Sequence, residues 1–154
     1  MIEVVRAGVR DRDTVLDLVE RLLGELEEKR HEFARIDRRR VAGDLDAAGD
    51  RFVAFLARED GRAIGVLTLS EHVAIYAGGR YGVIDELWVA PESRSQRVGE
   101  RLVASARSYG TQRGWRRIDV AAPAGPIGER PVKFYERLGF VFTGPKLRLD
   151  LPNV

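Results

Sequence analysis

The chain has 154 residues, of which 44% are apolar, 32% are charged and none is cysteine, which fits one soluble globular domain and excludes a disulfide framework and thiol catalysis. Two histidines far apart in sequence, His31 and His72, argue against a zinc site. The N-terminus has no signal-peptide pattern and no apolar run could span a bilayer, so we expect a cytoplasmic protein with no membrane partner.

The net charge of +2 is unevenly divided along the chain. Residues 1–77 hold 13 Lys+Arg and 16 Asp+Glu, giving −3, whereas residues 78–154 hold 13 and 8, giving +5. A positive second half suits an anionic ligand. Chance asymmetry on a solvated surface would produce the same difference.

The first 49 residues predict a short strand and two helices. Asp11 or Asp13 can cap the first helix. A second, weaker helix is expected over residues 32–49, and its run Arg38-Arg39-Arg40 is interpreted as a solvated face rather than a nucleic-acid patch. The first helix should bury one face, because apolar residues recur at helical spacing: Val15, Leu18, Val19, Leu22, Leu23 and Leu26.

The middle of the chain predicts three strands. Asp60-Gly61 separates two apolar runs and indicates a hairpin, because such a turn requires positive φ. Pro91 ends the third strand. The predicted strands cover residues 52–57, 63–69 with an extension over 72–77, and 81–89.

The remainder predicts two helices and three strands. A helix over 98–113 has a buried stripe and a C-terminal stop at Gly114. Pro131 suits the first turn of a short helix over 131–138, which Gly139 ends. Further strands are expected at 118–121, 140–142 and 146–151. The buried stripe consists of Val98, Leu102, Ala106 and Tyr109. We expect Tyr76, Tyr81 and Trp115 to pack in the core or loops, and the two histidines to lie on the surface or in loops.

A strand, a polar loop and a helix follow one another between Glu86 and Leu102. Backbone N–H groups at a helix start are unpaired and carry a positive partial charge, so a tight loop before them can hold a phosphate. Arg94 and Arg97 add charge, and Gly99 permits a close approach. Many loops precede helices without binding anything, so the pattern alone leaves both interpretations open.

This segment resembles the GNAT superfamily of N-acetyltransferases. Its acetyl-coenzyme A signature, Gln/Arg-x-x-Gly-x-Gly/Ala after the fourth strand, corresponds to Arg94-Ser95-Gln96-Arg97-Val98-Gly99. The flanking Glu86–Glu92 and Arg101-Leu102 also resemble the family. Arg97 stands at the first motif glycine, where it keeps the backbone N–H but is expected to avoid positive φ. The resemblance implies a cofactor site made by Leu87, Trp88, Val89, Arg94, Ser95, Gln96, Arg97, Val98, Gly99 and Glu100.

A second resemblance lies in residues 131–140, a helix that carries Phe134-Tyr135 and ends in Leu-Gly-Phe. In many family members this tyrosine gives a proton to the departing coenzyme A thiolate, a role that Tyr135 would take. A phenol with a pKa of about 10 suits a thiol leaving group. The alternative is a packed tyrosine with a satisfied hydroxyl. The family often has an asparagine where this chain has Gly128.

Glu86 is the candidate general base. Strand alternation predicts Ile84, Glu86 and Trp88 on one face and Asp85, Leu87 and Val89 on the other. A carboxylate within an apolar strand has a raised pKa when buried, which suits a base, and similar enzymes have a glutamate near here that deprotonates the amine. A salt bridge or a substrate-ammonium contact is the alternative, and Asp85 is a less favoured base.

The resemblance implies one GNAT domain over 1–154, of α/β (α+β) class, with a mixed, mostly antiparallel sheet of about six or seven strands and about four helices. It implies direct transfer of an acetyl group from acetyl-coenzyme A to a primary amine of a small molecule or peptide, without a metal. A homodimer is compatible with the sequence. Two alternatives are a non-catalytic acyl-coenzyme A sensor on the same fold and a nucleic-acid-binding domain, for which no recognition motif is present.

Overall fold

The computed structural model describes residues 1–30, 36–123 and 125–152, which form five strands and four α-helices. The chain divides into two compact units, Met1–Val120 and Ala121–Val154. The first unit contains β1 (Ile2–Arg6), α1 (Arg12–Arg30), α2 (Arg38–Ala48), β2 (Phe52–Glu59), β3 (Arg62–Ala74), β4 (Gly79–Val89), α3 (Val98–Arg113) and β5 (Ile118–Val120). The second unit contains α4 (Glu129–Arg137).

The strands form one sheet in the order β1-β2-β3-β4-β5. The first three pairings are antiparallel and the pairing of β4 with β5 is parallel. This mixed, mostly antiparallel sheet with four helices confirms the predicted fold class. Short connections at the hairpins explain the antiparallel pairs, whereas α3 makes the crossover that a parallel pair needs.

The predicted number of strands was wrong, because the described residues form five strands rather than six or seven. Residues 140–142 and 146–151, expected as strands, lie in a segment from 140 to 152 that is described without strand pairing. Leu147, Leu149 and Leu151 are all largely exposed. Alternation of apolar and polar residues specifies a segment with one apolar face, but a strand also needs a neighbour whose backbone groups complete the ladder.

Helix α1 packs one side of the sheet through the apolar stripe that the sequence predicted. A short 3-10 turn, Val9–Asp11, precedes it, and the Asp11 carboxylate accepts the N–H of Gly8 at 2.8 Å. Asp11 thus accepts the backbone N–H of Gly8, the N-cap residue of this turn, and a capping role of Asp11 or Asp13 at α1 itself stays a prediction. The buried residues of the stripe are Val15, Leu18 and Val19, and the neighbouring Leu16 is buried with them.

Helix α2 is shorter than predicted and buries none of its residues. The Asp37 side chain caps it by accepting the N–H of Arg40 at 3.2 Å. Arg38 is not merely solvated, because it reaches Asp17 at 2.6 Å and Glu20 at 2.7 Å on α1. The predicted residues 32–35, and His31, lie outside the described residues.

Helix α3 covers the other face of the sheet and has the predicted bounds. Val98, Leu102 and Ala106 are buried, Tyr109 is half-buried, and Gly114 ends the helix at φ +75°. Gly65 of β3 permits the close approach of this helix. A Cβ there would lie 3.1 Å from Leu102, 3.2 Å from Val98 and 3.2 Å from the Trp88 carbonyl oxygen.

Trp115 ties the C-terminal end of α3 to the sheet, in agreement with the predicted packing role. Its ring lies where a Cβ on Gly82 of β4 or on Gly110 of α3 would stand, at 2.1 Å and 2.6 Å respectively. Its Nε1 donates to the Glu71 carboxylate at 2.6 Å, and Arg113 donates to the same buried carboxylate at 2.9 and 3.0 Å. These contacts hold the pKa of Glu71 below its ordinary value, first through Arg113.

Candidate active site

Strand β4 contains a β-bulge at its centre. Thr68 of β3 pairs with Glu86, and the next residue, Leu69, pairs with Ile84. Asp85 is therefore the extra residue of the bulge, inserted between two positions that pair with β3. A bulge interrupts the ladder and redirects side chains near it.

The bulge brings Asp85 and Glu86 to the same face of the sheet. The Thr68 hydroxyl donates to Oε2 of Glu86, and the Ser70 hydroxyl donates to Oδ2 of Asp85 at 2.6 Å. Thr68 and Ser70 are two residues apart on one strand and so share a face. The predicted grouping was wrong for Ile84 and Asp85, because each strand position before the bulge is shifted by one. Trp88 pairs with Val66 and does share the face of Glu86.

The Glu86 carboxyl is half-buried, and burial raises its pKa above the ordinary value. The hydrogen bond from Thr68 opposes this effect, and the charge of Asp85 adds to it. The net pKa is raised. His72, exposed as predicted, lies at the end of the same polar row, with Nε2 3.2 Å from the Ser70 hydroxyl. This face therefore presents a carboxyl that can exchange a proton closer to neutral pH than an exposed glutamate.

The far edge of β4 loses its strand neighbour at the bulge. Strand β5 pairs only with Gly82, Val83 and Ile84. In the described residues of the unit Met1–Val120, residues 85–89 pair with no strand on that side. Leu87 and Val89 are half-buried, whereas the Trp88 ring is buried and donates from Nε1 to Glu25 at 3.0 Å. Backbone groups along this edge can meet a ligand that lies beside the strand.

Strand β4 leads through a 3-10 turn, Pro91–Ser93, into the start of α3. At the start of α3, the N–H of Arg101 donates to the carbonyl of Arg97 at 3.1 Å. Among the residues that the structure describes, no side chain caps α3. The N–H groups of its first turn, on Val98, Gly99 and Glu100, can therefore bind an anion. Ser95 and Gln96 are exposed beside them.

The backbone of Arg97 lies in the region of φ and ψ that favours glycine. Its φ of +59° lies in the left-handed region, so the expectation that arginine would avoid positive φ was wrong. The side chain is 83% exposed, with Nε 3.9 Å from the Glu100 carboxylate. The exposed side chain needs no room in the interior, so the cost of Arg97 is that of its left-handed backbone conformation.

Arg94 is bound within the protein. Its Nε donates to the Val89 carbonyl at 2.9 Å, and its NH2 group donates to both Glu25 oxygens at 2.9 and 3.0 Å. Trp88 donates to the same carboxylate. This network lies at an open depression of about 380 Å³ lined by Arg21, Gly24, Glu25, Trp88, Ala90, Pro91 and Glu92.

In the second unit, Tyr135 is buried between two aromatic rings. Phe134 and Phe140 contact it edge to face, with ring centres 5.1 and 5.3 Å away. Burial raises the pKa of Tyr135 to about 12. Helix α4 ends just after it, where the N–H groups of Leu138 and Phe140 both reach the Tyr135 carbonyl at 3.0 Å. The hydroxyl thus keeps its proton well above neutral pH.

Gly128, which stands where the family often has an asparagine, has no room for a side chain in this structure. A Cβ at this position would lie 1.7 Å from the Pro123 carbonyl oxygen. Any side chain would therefore force the backbone of this loop to move.

The family model described as Acetyltransferase (GNAT) family matches residues 14–140. This chain belongs to the GNAT family. It is accordingly an acyltransferase, and the residues singled out by the two motifs fall within the matched range. No curated protein matches this chain.

Solved structures share the GNAT fold at low sequence identity. An aminoglycoside acetyltransferase from an uncultured soil metagenomic sample, in complex with sisomicin, is 17% identical, with a TM-score of 0.75 over 99% of this chain and 97% of that chain. A ribosomal-protein-alanine N-acetyltransferase from Brucella melitensis biovar Abortus 2308 is 18% identical, with a TM-score of 0.75 over 99% and 100%. A predicted acetyltransferase with acetyl-CoA from Clostridium acetobutylicum is 20% identical, with a TM-score of 0.77 over 97% and 96%.

Two features of this GNAT site were not identified from the sequence. Glu25 falls three residues after Leu22 and seven after Leu18, so an acid on the apolar stripe of α1 was a usable signal. Thr68 lies inside an apolar run and gives no comparable signal.

Within the described ranges, no group of three or more His, Asp or Glu side chains is placed to hold a metal. None of the described helices is long and apolar enough to cross a membrane.

Proposed function

We propose that this GNAT chain transfers an acetyl group from acetyl-coenzyme A directly to a primary amine of a small molecule or peptide. The observation that carries this proposal is the half-buried carboxyl of Glu86, with its raised pKa, on the strand that leads to the uncapped start of α3. A carboxyl in that position is suited to take a proton from an ammonium group at near-neutral pH. The sisomicin complex and the alanine N-acetyltransferase are consistent with either kind of acceptor.

The residues at the start of α3 fit the phosphates of the donor. First-turn N–H groups of Val98, Gly99 and Glu100 would bind the pyrophosphate, with Ser95 and Gln96 beside them. Arg94 would add positive charge by turning from Glu25 or by sharing its guanidinium. The open edge at Leu87, Trp88 and Val89 would offer backbone groups to the pantetheine amides.

In the proposed reaction, Glu86 accepts a proton from the acceptor ammonium, directly or through one water. The amine nitrogen then bonds to the thioester carbonyl carbon while a backbone N–H of β4 stabilises the oxygen, and the carbon–sulfur bond breaks. Tyr135 gives its proton to the departing thiolate. The nitrogen of the new amide loses its second proton to solvent, Glu86 returns its proton to solvent, and solvent reprotonates the tyrosinate. Atoms and charges balance without a metal ion.

Three further predictions from the sequence remain proposals. The two units would belong to one GNAT domain, because the family match runs across their boundary after Val120. Cytoplasmic location and a homodimer remain predictions. The sensor alternative was based on Arg97 at the first motif glycine, and the left-handed backbone of Arg97, a conformation that glycine also adopts, supports the acetyltransferase proposal over the sensor.

The test is a multiple-turnover assay with acetyl-coenzyme A and a panel of amino acids, polyamines, aminoglycosides and peptides. Turnover is expected with at least one amine. Glu86→Gln should lower kcat/KM by about 10²-fold or more, the usual size of a general-base effect, and leave acetyl-coenzyme A affinity intact. In the parent, kcat/KM should rise with pH as Glu86 ionises, and this limb should be absent in the variant.

Asp85→Asn is the matched control, because Asp85 lies on the same face and its charge also changes. It should keep most of the activity and lower the pKa of Glu86 slightly, since a nearby negative charge is removed. Loss of activity in Asp85→Asn with a normal Glu86→Gln enzyme would assign the base to Asp85. Tight acetyl-coenzyme A binding without turnover of any amine would favour the sensor.

A further inference from the structure

We propose that Thr68 is the positioning residue for Glu86, because its hydroxyl holds the carboxylate at the bulge with one oxygen directed to the acceptor amine. This inference rests on the proposed role of Glu86 as general base. Thr68 itself would not touch the substrate. It would act only by fixing the orientation and the protonation of the base.

One hydroxyl makes two bonds to one residue. Thr68 Oγ1 donates its proton to Oε2 of Glu86 and accepts the backbone N–H of Glu86 at 3.0 Å. The side chain of Thr68 is deeply buried, at 1% exposure. A hydroxyl buried in a sheet must be hydrogen-bonded, and here both bonds go to Glu86.

The bulge explains why this arrangement arises. Asp85 interrupts the ladder, and next to it the N–H of Glu86 donates to the Thr68 side chain. Threonine is branched at Cβ and stiff at χ1, so it fixes its hydroxyl better than a flexible side chain would. Among the described residues, Thr68 provides the hydrogen bond to the Glu86 carboxylate, which leaves Oε1 to take the proton.

Other charged groups face the same region and must be held constant in the test. Asp85 neighbours Glu86 on β4, and His72 lies beyond Ser70 on β3. From α1, the Arg21 guanidinium lies 5.8 Å from the centre of the Trp88 ring, and Glu25 accepts the Trp88 N–H. None of these is changed by a substitution at Thr68.

A hydrogen bond to the ionised carboxylate opposes the effect of burial. Removing it should therefore raise the pKa of Glu86 further, by about one pH unit or more. Glu86 must be ionised to accept a proton, so the rising limb of kcat/KM should move to higher pH by the same amount. Activity below the new pKa should fall about tenfold and recover at alkaline pH.

The experiment compares Thr68→Val, which replaces the hydroxyl with a methyl of similar size, and Thr68→Ser, which keeps the hydroxyl. The pKa of the Glu86 carboxyl is measured by carbon NMR, and kcat/KM against pH in the acetyl-coenzyme A assay. The valine variant should show both shifts, and the serine variant, which keeps the hydroxyl on a freer side chain, should stay close to the parent values. Thr68→Ala replaces the valine variant if valine does not fold.

The outcomes separate this inference from the proposed function. An unchanged Glu86 pKa in Thr68→Val, with Glu86→Gln still inactive, overturns the inference and leaves the base role standing. If the pKa of Glu86 is raised in Thr68→Val while Glu86→Gln keeps full activity, the hydrogen bond from Thr68 to the carboxylate is supported and the role of Glu86 as general base is overturned. If Thr68→Val has a lower melting temperature but an unchanged Glu86 pKa and an unchanged pH dependence of kcat/KM, Thr68 has a structural role only and the inference is overturned.

Discussion

At Arg97 a residue with a long side chain holds a backbone conformation that favours glycine. At φ +59° a residue with a Cβ is strained by about 1–2 kcal/mol, and glycine is not. The N–H groups that follow Arg97 depend on this φ rather than on the side chain. The exposed guanidinium is then an additional positive group close to the proposed phosphate site.

We predict that Arg97→Gly is more stable than Arg97→Ala by about 1 kcal/mol, because only alanine retains the left-handed strain. Both variants lose the guanidinium, so their difference isolates the backbone. Urea denaturation measures the free energies of unfolding. Equal stability of the two variants would contradict a left-handed conformation at residue 97.

Tyr135 is placed to stay protonated. Since its pKa is raised to about 12 and donation requires the protonated form, the alkaline fall in kcat should begin well above pH 10. We predict that Tyr135→Phe slows acetyl transfer by about 10²-fold while unfolding stability changes little, because the ring contacts with Phe134 and Phe140 remain.

Tyr109→Phe serves as the control for Tyr135→Phe. Tyr109 is half-buried on α3, and its hydroxyl donates to the Asp50 carbonyl at 3.1 Å, away from the proposed chemistry. It should have the parent kcat at every pH. A Tyr135→Phe enzyme as fast as the parent, with acetyl transfer shown to limit the rate, would return Tyr135 to a packing role.

At the scale of elements, Trp115 is the wedge that sets the distance between α3 and β4. Its ring occupies the space in which Gly82 and Gly110 have no side chains, and its N–H is bound to Glu71 on β3. Two strands and one helix therefore meet on one ring. The arrangement holds the C-terminal half of α3, whereas Gly65 governs the approach of its N-terminal half.

We predict that Gly82→Ala destabilises the protein by about 1–3 kcal/mol, the usual cost of overpacking, because the new Cβ would stand 2.1 Å from the Trp115 ring. Gly43→Ala is the control. It lies within α2 with nothing within 4 Å of its Cβ, so it should stabilise by about 0.5–1 kcal/mol. Thermal unfolding of both variants measures the contrast, and a neutral Gly82→Ala would argue against the wedge.

Elements with local signals were predictable, and elements that depend on a distant partner were not. Helix α3 has its predicted bounds, because a loop opens it and Gly114 closes it through local backbone preferences. The bulge at Asp85 depends on how β4 pairs with β3, which alternation within one strand does not reveal. The strands expected at 140–142 and 146–151 are absent from the described residues. They were predicted from the alternation of apolar and polar residues, which does not show whether a neighbouring strand is present to pair with.

At the scale of the whole molecule, the order of elements and two motifs were enough to predict the GNAT family. The bonds that tune the site were not predictable. Glu25 holds Arg94 across 69 residues, and Thr68 holds Glu86 across 18. A sequence motif relates residues that are close in the chain. Glu25 and Arg94, and Thr68 and Glu86, come together only when the sheet and α1 are folded.

The bulge in β4 also matters for comparing this chain with others. Because Asp85 adds a residue without lengthening the paired strand, a homologue with a regular ladder would be one residue shorter here. An alignment of the two must open a gap of one position at Asp85. Without that gap, residues 79–84 would be matched to side chains from the opposite face, and substitutions on the side of α3 would be misread as changes on the side of α1, or the reverse.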